Sequence, residues 1–259
     1  MSDRFAPNRW LVALAQTALA AAFLALWELG ARTKVIDTFF YSSPTQIGAF
    51  IAGWAHSGKL LTDIGVTMEE TLLGLLIGGG VGIALGILLA SSRWLGAIFE
   101  PLLVLLNAMP RVTLVPLFIL WFGFSIWSKV MGAIALVLFV VFFATYAGIK
   151  DVDATLVANA RVLGADRRGI VRHVLLPSAL SWIFASLRTA VGFALIGAVV
   201  AEYLGANAGV GYKIQYAEAA LNTGGVFGGL AVLVALVFII DNLIRRVQAR
   251  LIAWKPQAL

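Results

Sequence analysis

Apolar residues in this chain fall in long runs rather than in the every-third-or-fourth spacing of a helix that shows one face to water. Runs of about bilayer length stand near 11–31, 71–90, 97–122, 130–149, 177–200 and 225–244. The second, TLLGLLIGGGVGIALGILLA, and the fourth, VMGAIALVLFVVFFATYAGI, contain no charge. A helix over either is apolar on every side, which only full burial or lipid tolerates. The pattern predicts an all-α polytopic membrane protein with about six transmembrane helices. The other four runs carry interruptions: Glu28; Glu100 and Arg111 with Pro101, Pro110 and Pro116; Arg188; and Asp241.

The first run follows Arg4 and Arg9 and contains Ala-Leu-Ala at 18–20, the elements of a secretory signal. Its apolar stretch continues from Leu11 to Leu29, longer than the roughly 7–15 residues of a signal core, which favours an uncleaved span. Between the first two spans, Ser42, Ser43 and Pro44 precede TQIGAFIAGWAHSGKL, a pattern of short helices lying at the membrane surface.

The segment 150–176 is too long for a turn. Asp153 is placed to cap ATLVANARVL, in which Leu156, Ala160 and Leu163 share a face, and Gly164 supplies a left-handed stop. Asp166 is placed to cap a second short helix, RRGIVRHVLL, and Pro177 opens the next span. The residues leave two readings: a basic amphipathic loop held against anionic lipid, or a docking element for a soluble partner.

Composition narrows the class. Hydrophobic residues make up 61% of the 259 and charged residues only 12%, which excludes an ordinary soluble enzyme and a disordered chain. The net charge of +6 is too scattered for a nucleic-acid surface. There is no cysteine, and His56 and His173 stand far apart, so neither a thiolate nor a metal site is indicated. The basic residues set an orientation instead. One side holds twelve: Arg4, Arg9, Arg93, Lys150, Arg161, Arg167, Arg168, Arg172, Arg245, Arg246, Arg250 and Lys255. The other holds five: Arg32, Lys34, Lys59, Lys129 and Lys213. The excess predicts that both termini are cytoplasmic.

The stretch ANARVLGADRRGIVRHVLLP at 158–177 resembles the cytoplasmic loop of permease subunits of binding-protein-dependent ABC importers. PRVTLVPLFILWFGF at 110–124, ALSWIFASLRTAVGFALIGAVVAEYLGANAGVGYKI at 179–214 and SSPTQIGAFI at 42–51 are similar to the branch that imports taurine, alkanesulfonates, nitrate or bicarbonate. The resemblance covers nearly the whole chain and implies a single permease domain over 1–259 in a bacterial cytoplasmic membrane. It implies two ATPase subunits that hold ATP and Mg, a second permease copy in a homodimer, an extracytoplasmic solute-binding protein and surrounding lipid. No cofactor is expected on this chain. It further implies ATPase coupling through Ala158, Asn159, Ala160, Arg161, Gly164, Ala165, Arg167, Arg168 and Pro177. Where that family's loop usually has glutamate this chain has Ala158, so Asn159 and the nearby arginines become the candidate polar contacts. Gly205, Gly209, Gly211 and Tyr212 are expected at an external gate where the binding protein docks.

The chain has no Gly-x-x-x-x-Gly-Lys-[Ser/Thr] loop, so ATP hydrolysis is expected on a partner and the chain is not expected to be an enzyme. Arg111 and Arg188, at membrane depth, are candidate pathway residues for an anionic solute; the alternatives are internal ion pairs or helix caps, with Glu202 a candidate partner. Gly74, Gly78, Gly82 and Gly86 make a smooth groove suited to close helix packing within a subunit or across a dimer. An ion-gradient-driven secondary carrier would call for an acidic relay and an inverted repeat, neither of which stands out in the spans. An intramembrane serine protease would need a Gly-x-Ser motif paired with a histidine at membrane depth.

Overall fold

A computed structural model describes residues 9–251. Arg4 and Lys255, counted above for orientation, lie outside the described residues, as do the side chains of Arg9, Arg167, Arg245 and Arg250. Every regular element among the described residues is helical: α1 (Arg9–Arg32), α2 (Thr38–Tyr41), α3 (Pro44–His56), α4 (Lys59–Ala90), α5 (Arg93–Ala108), a 3-10 turn (Arg111–Leu114), α6 (Val115–Phe122), α7 (Ile126–Lys150), α8 (Ala154–Val162), α9 (Arg167–Ile170), a π-turn (Val171–Leu175), α10 (Leu176–Gly205), α11 (Val210–Ala219) and α12 (Thr223–Leu251).

Among the described residues, five stretches are long and apolar enough to cross a bilayer, namely Trp10–Arg32, Lys59–Ala90, Ile126–Lys150, Arg168–Gly205 and Thr223–Ile244. The third predicted run is not a straight rod. Arg93–Ala108 and Arg111–Phe122 meet at 85°, at the residue before the 3-10 turn, where Pro110 cannot donate a backbone hydrogen bond.

The second span begins twelve residues before its apolar run. Asp63, Glu69 and Glu70 interrupt hydropathy without interrupting α4, whose 32 residues extend roughly 48 Å, well beyond the roughly 30 Å hydrocarbon core.

The chain packs as two compact units. In the unit formed by residues 1–60 and 214–231, Glu28 of α1 accepts the N–H and hydroxyl of Thr45, each at 3.1 Å, and Arg32 Nε at 2.7 Å. Ser43 caps α3 by accepting from Gln46 N, and Pro44 opens the helix, where its missing N–H is not needed. Trp27 meets Phe227 edge to face at 5.9 Å. Most of α1 is exposed in the single chain, so lipid or another subunit has to cover it.

In the unit formed by residues 61–213 and 232–259, α7 and α10 are the central pair. Ala133, Val137 and Val141 of α7 pack on Ala190, Ala194 and Ala198 of α10, all fully buried. The α4 glycine groove is filled by α7 of the same chain: a Cβ on Gly82 would stand 2.7 Å from the Leu138 carbonyl oxygen and 3.1 Å from the Phe142 amide nitrogen. Small residues here allow backbone-to-backbone approach within one subunit, and the groove is not left open for a dimer.

Candidate functional site

Four arrangements in the second unit carry polar chemistry at or near the membrane. The first is the 150–176 connection. Asp153 caps α8 by accepting the Thr155 N–H at 2.8 Å, and that hydrogen bond holds its carboxyl below the usual aspartate range. At the other end Gly164 has φ +85°, the Gly164 N–H reaches Arg161 O, and the Ala165 N–H reaches Ala160 O, both at 3.0 Å. This pair of bonds is a Schellman motif, and it fixes the corner through glycine's access to the left-handed region. Asp166 then accepts the Gly169 N–H at 2.7 Å.

One expectation for this loop needs correction. The second helix does not stop at Pro177, because residues 168–205 form one continuous helical stretch. Pro177 lacks an amide hydrogen, and the helix widens ahead of it into the π-turn, with the Leu176 N–H bonding Val171 O. The face that carries Leu156, Ala160 and Leu163 is open in the single chain: Leu156 is half exposed and Leu163 86% exposed, as is the neighbouring Val162 at 87%. Ala158, Asn159, Arg161 and Arg168 are exposed as well, while Ala160 and Ala165 are half-buried. Periodicity does not reveal the direction of that face, which is set by the corner at Gly164.

The second arrangement is the bend in the third span. Arg111 stands at the first position of the 3-10 turn, with Nη1 3.5 Å from Leu136 O and its guanidinium 5.1 Å from the centre of the Phe139 ring. It has no ion-pair partner among the described residues. Glu100 in the preceding helix accepts the Tyr146 hydroxyl at 2.5 Å.

The third is a two-point ion pair between α10 and α12. Arg188 Nε lies 2.7 Å from Asp241 Oδ1, and Nη2 lies 3.3 Å from Oδ2. Both are partly exposed, and with Ala185 and Thr189 they line a cavity of about 460 Å³. The structure does not bring Arg111 and Arg188 to a common partner: α7 holds one and α12 the other. Glu202 pairs with neither.

Glu202 belongs to the fourth arrangement, a buried network at the opposite end of α10. Its carboxylate accepts the Thr67 hydroxyl and the Gly211 N–H, each at 2.6 Å. Asp63 accepts the Gly209 N–H at 3.0 Å, and Thr67 Oγ1 accepts the Val210 N–H at 2.9 Å. Three successive amides at the start of α11, groups with no partner inside that helix, are thus satisfied by side chains of α4 and α10. Glu70 is buried beside Glu202 and Lys129, and the Lys129 ammonium donates to Phe124 O at 2.9 Å and Ser125 O at 3.2 Å. Gly205 is buried against Phe124 and Ile119, and Tyr212 is half-buried. The glycine-rich stretch is therefore a tethered helix start, not a loose hairpin.

Sequence reasoning missed Asp63, Thr67, Glu70 and Lys129. A signal was present: Asp63, Thr67 and Glu70 fall at i, i+4 and i+7, one polar stripe running into an uncharged span. Among the described residues no three His, Asp or Glu side chains are placed to hold a metal ion.

The sequence profile of the family described as "Binding-protein-dependent transport system inner membrane component" matches residues 82–253. A Bacillus subtilis (strain 168) protein provisionally named as the aliphatic sulfonates transport permease SsuC is 32% identical over 237 residues, covering 92% of this chain and 86% of that protein. The formylaminopyrimidine transport permease protein ThiX of Halalkalibacterium halodurans is 31% identical, with 95% and 97% covered. The taurine transport system permease protein TauC of Escherichia coli (strain K12) is 30% identical, with 90% and 87% covered. Among solved structures, the inward-facing MetNI methionine ABC transporter matches with a TM-score of 0.66 at 19% identity, over 74% of this chain and 96% of the matched chain, a likeness of fold.

Proposed function

The chain belongs to the family of binding-protein-dependent inner-membrane transport components, the permeases of ABC importers, and from that premise we propose that it moves a small anionic solute of the sulfonate or taurine type inward by alternating access. It is a transport subunit and not an enzyme. In the proposed assembly two copies form the pathway, and two ATPase subunits with ATP and Mg dock beneath. A solute-binding protein delivers cargo on the outer side. Residues 1–259 act as one permease domain, since α4, α11 and α12 each contribute residues to both compact units. Both termini face the cytoplasm, by the twelve-to-five distribution of basic residues.

The observation that carries this reading is the exposed, rigid corner at Gly164. Val162 and Leu163 stand almost free at the end of a short helix locked by a Schellman motif, and apolar side chains so presented next to a membrane suit a protein cleft. Asn159 and Arg161 offer polar contacts nearby, in place of the glutamate replaced by Ala158. Substrate contact is assigned to Arg111, which has no carboxylate partner among the described residues, whereas Arg188 is already neutralised by Asp241. The start of α11, with Gly205, Gly209, Gly211 and Tyr212, is the external docking and gate region.

The test is reconstitution in proteoliposomes with the ATPase and the binding protein. Leu163→Asp is expected to insert normally yet lose the ATPase on purification. Retention of the ATPase with full stimulated hydrolysis would remove the loop from the coupling path.

A further inference from the structure

The ends of α4, α5 and α7, with α8 and the π-turn, enclose a cavity of about 660 Å³. Its lining divides by chemistry. Arg93, Lys150 and Arg161, all exposed, bring three cationic groups to it, whereas Ile170 and Leu175 belong to an apolar side. No carboxylate is among its described lining residues, and neither ion pair among the described residues involves these three cations. Lys150 lies 5.4 Å from the centre of the Tyr146 ring, a contact that orients the ammonium without neutralising it. Three like charges around one cavity repel one another and raise its positive potential, so an anion bound there relieves the repulsion.

Position and shape narrow the anion. The cavity sits where α4 ends at Ala90 and α5 begins at Arg93, the level at which membrane-crossing helices emerge among headgroups. Its volume is within the range of sites for whole small molecules and exceeds what a lone phosphate ion fills. An apolar side next to a cationic rim matches a molecule with a charged head and a hydrocarbon tail. The wall supplied by α8 is its Val157 and Arg161 side, while Asn159 and Leu163 point roughly 200° round the helix, so the cavity and the apolar tip of the proposed ATPase contact use different faces, with Arg161 and Ala165 bordering both.

We infer that this cavity binds the phosphate group of an anionic phospholipid, with Arg93, Lys150 and Arg161 around the headgroup and the acyl chains leaving along the apolar side. A lipid there ties α8 to the ends of three spans and stiffens the corner that the ATPase engages. Naming the leaflet as cytoplasmic rests on the proposed orientation; the site itself does not.

The experiment uses the full-length permease, stripped of lipid in detergent and titrated with phosphatidylglycerol, phosphatidylcholine or inorganic phosphate, with bound lipid counted by native mass spectrometry. The wild-type chain is expected to retain phosphatidylglycerol in preference to phosphatidylcholine, with inorganic phosphate failing to displace it. The Arg93→Gln/Lys150→Gln pair is expected to weaken phosphatidylglycerol retention by about thirtyfold. Equal retention of both lipids, undiminished retention by the double variant, or displacement by inorganic phosphate would each overturn the inference. Should the double variant fail to accumulate, Arg93→Gln alone, at an exposed helix start, carries the same comparison. Leu163→Asp separates the two readings, because it is expected to lose the ATPase while keeping phosphatidylglycerol.

Discussion

The carboxylate of Glu202 accepts the backbone N–H of Gly211 at 2.6 Å, joining the last turn of α10 to the first turn of α11. The same carboxylate accepts the Thr67 hydroxyl, which has the Asp63 carbonyl at 3.1 Å as a second acceptor, so its removal orphans one buried donor, the Gly211 N–H, at about 1–3 kcal/mol. Glu202→Ala is therefore expected to lower the thermal midpoint of the purified permease and to speed hydrogen exchange at Gly209, Val210 and Gly211. Unchanged protection of those amides would mean that the network does not hold the start of α11.

The Arg188–Asp241 pair predicts a pattern among variants. Removing one partner leaves a charge at membrane depth, at about 2.5–3.5 kcal/mol on insertion scales, whereas removing both leaves none. Arg188→Ala and Asp241→Ala are each expected to reduce the folded yield more than the double variant does. The exchange Arg188→Asp/Asp241→Arg is expected to recover most of it. Yields that fall additively would show that the pair is not coupled.

Close packing of α4 on α7 makes Gly82 intolerant of size. A side chain there meets backbone atoms of α7, which cannot swing aside as a flexible side chain would. Gly82→Leu is expected to destabilise the protein by about 1–3 kcal/mol or more, whereas Gly80→Leu, with open space around its Cβ, is expected to have little effect on the melting temperature. A similar loss at both sites would place the α4 contact elsewhere.

The contrast between these residues shows what the sequence makes legible. Uncharged runs at 71–90 and 130–149 announce spans because lipid leaves few alternatives, and Pro110 announces the bend because it cannot extend a helix through its own nitrogen. Asp241 as the partner of Arg188 is not legible, since 53 residues separate them and only helix packing brings them together. The early start of α4 is hidden by Asp63 and Glu70, and the polarity of Asp63 is met by a group distant in sequence, the Gly209 N–H. The occupant of the glycine groove was equally hidden: spacing shows that a helix can approach, not which one. In the loop, the capping residues were readable and the outward turn of Leu163 was not, because capping is local and orientation is tertiary.

Gly164 allows backbone conformation to be separated from contact. With φ at +85° and no atom within 4 Å of a Cβ built there, a substitution meets no clash and pays only for the left-handed backbone. That strain is about 1–2 kcal/mol for most residues, largest for β-branched ones and smaller for asparagine, whose side chain stabilises the region locally. Gly164→Asn and Gly164→Val add side chains of comparable size at the same exposed point, so a loss caused by blocking the partner's cleft affects both alike. A loss caused by unwinding the Schellman corner affects valine far more. Stimulated ATP hydrolysis in proteoliposomes is expected to fall only slightly for Gly164→Asn and severely for Gly164→Val, with membrane insertion equal for both. Equal impairment would assign Gly164 a role in direct contact, and equal retention would show that the corner's geometry is not used in coupling.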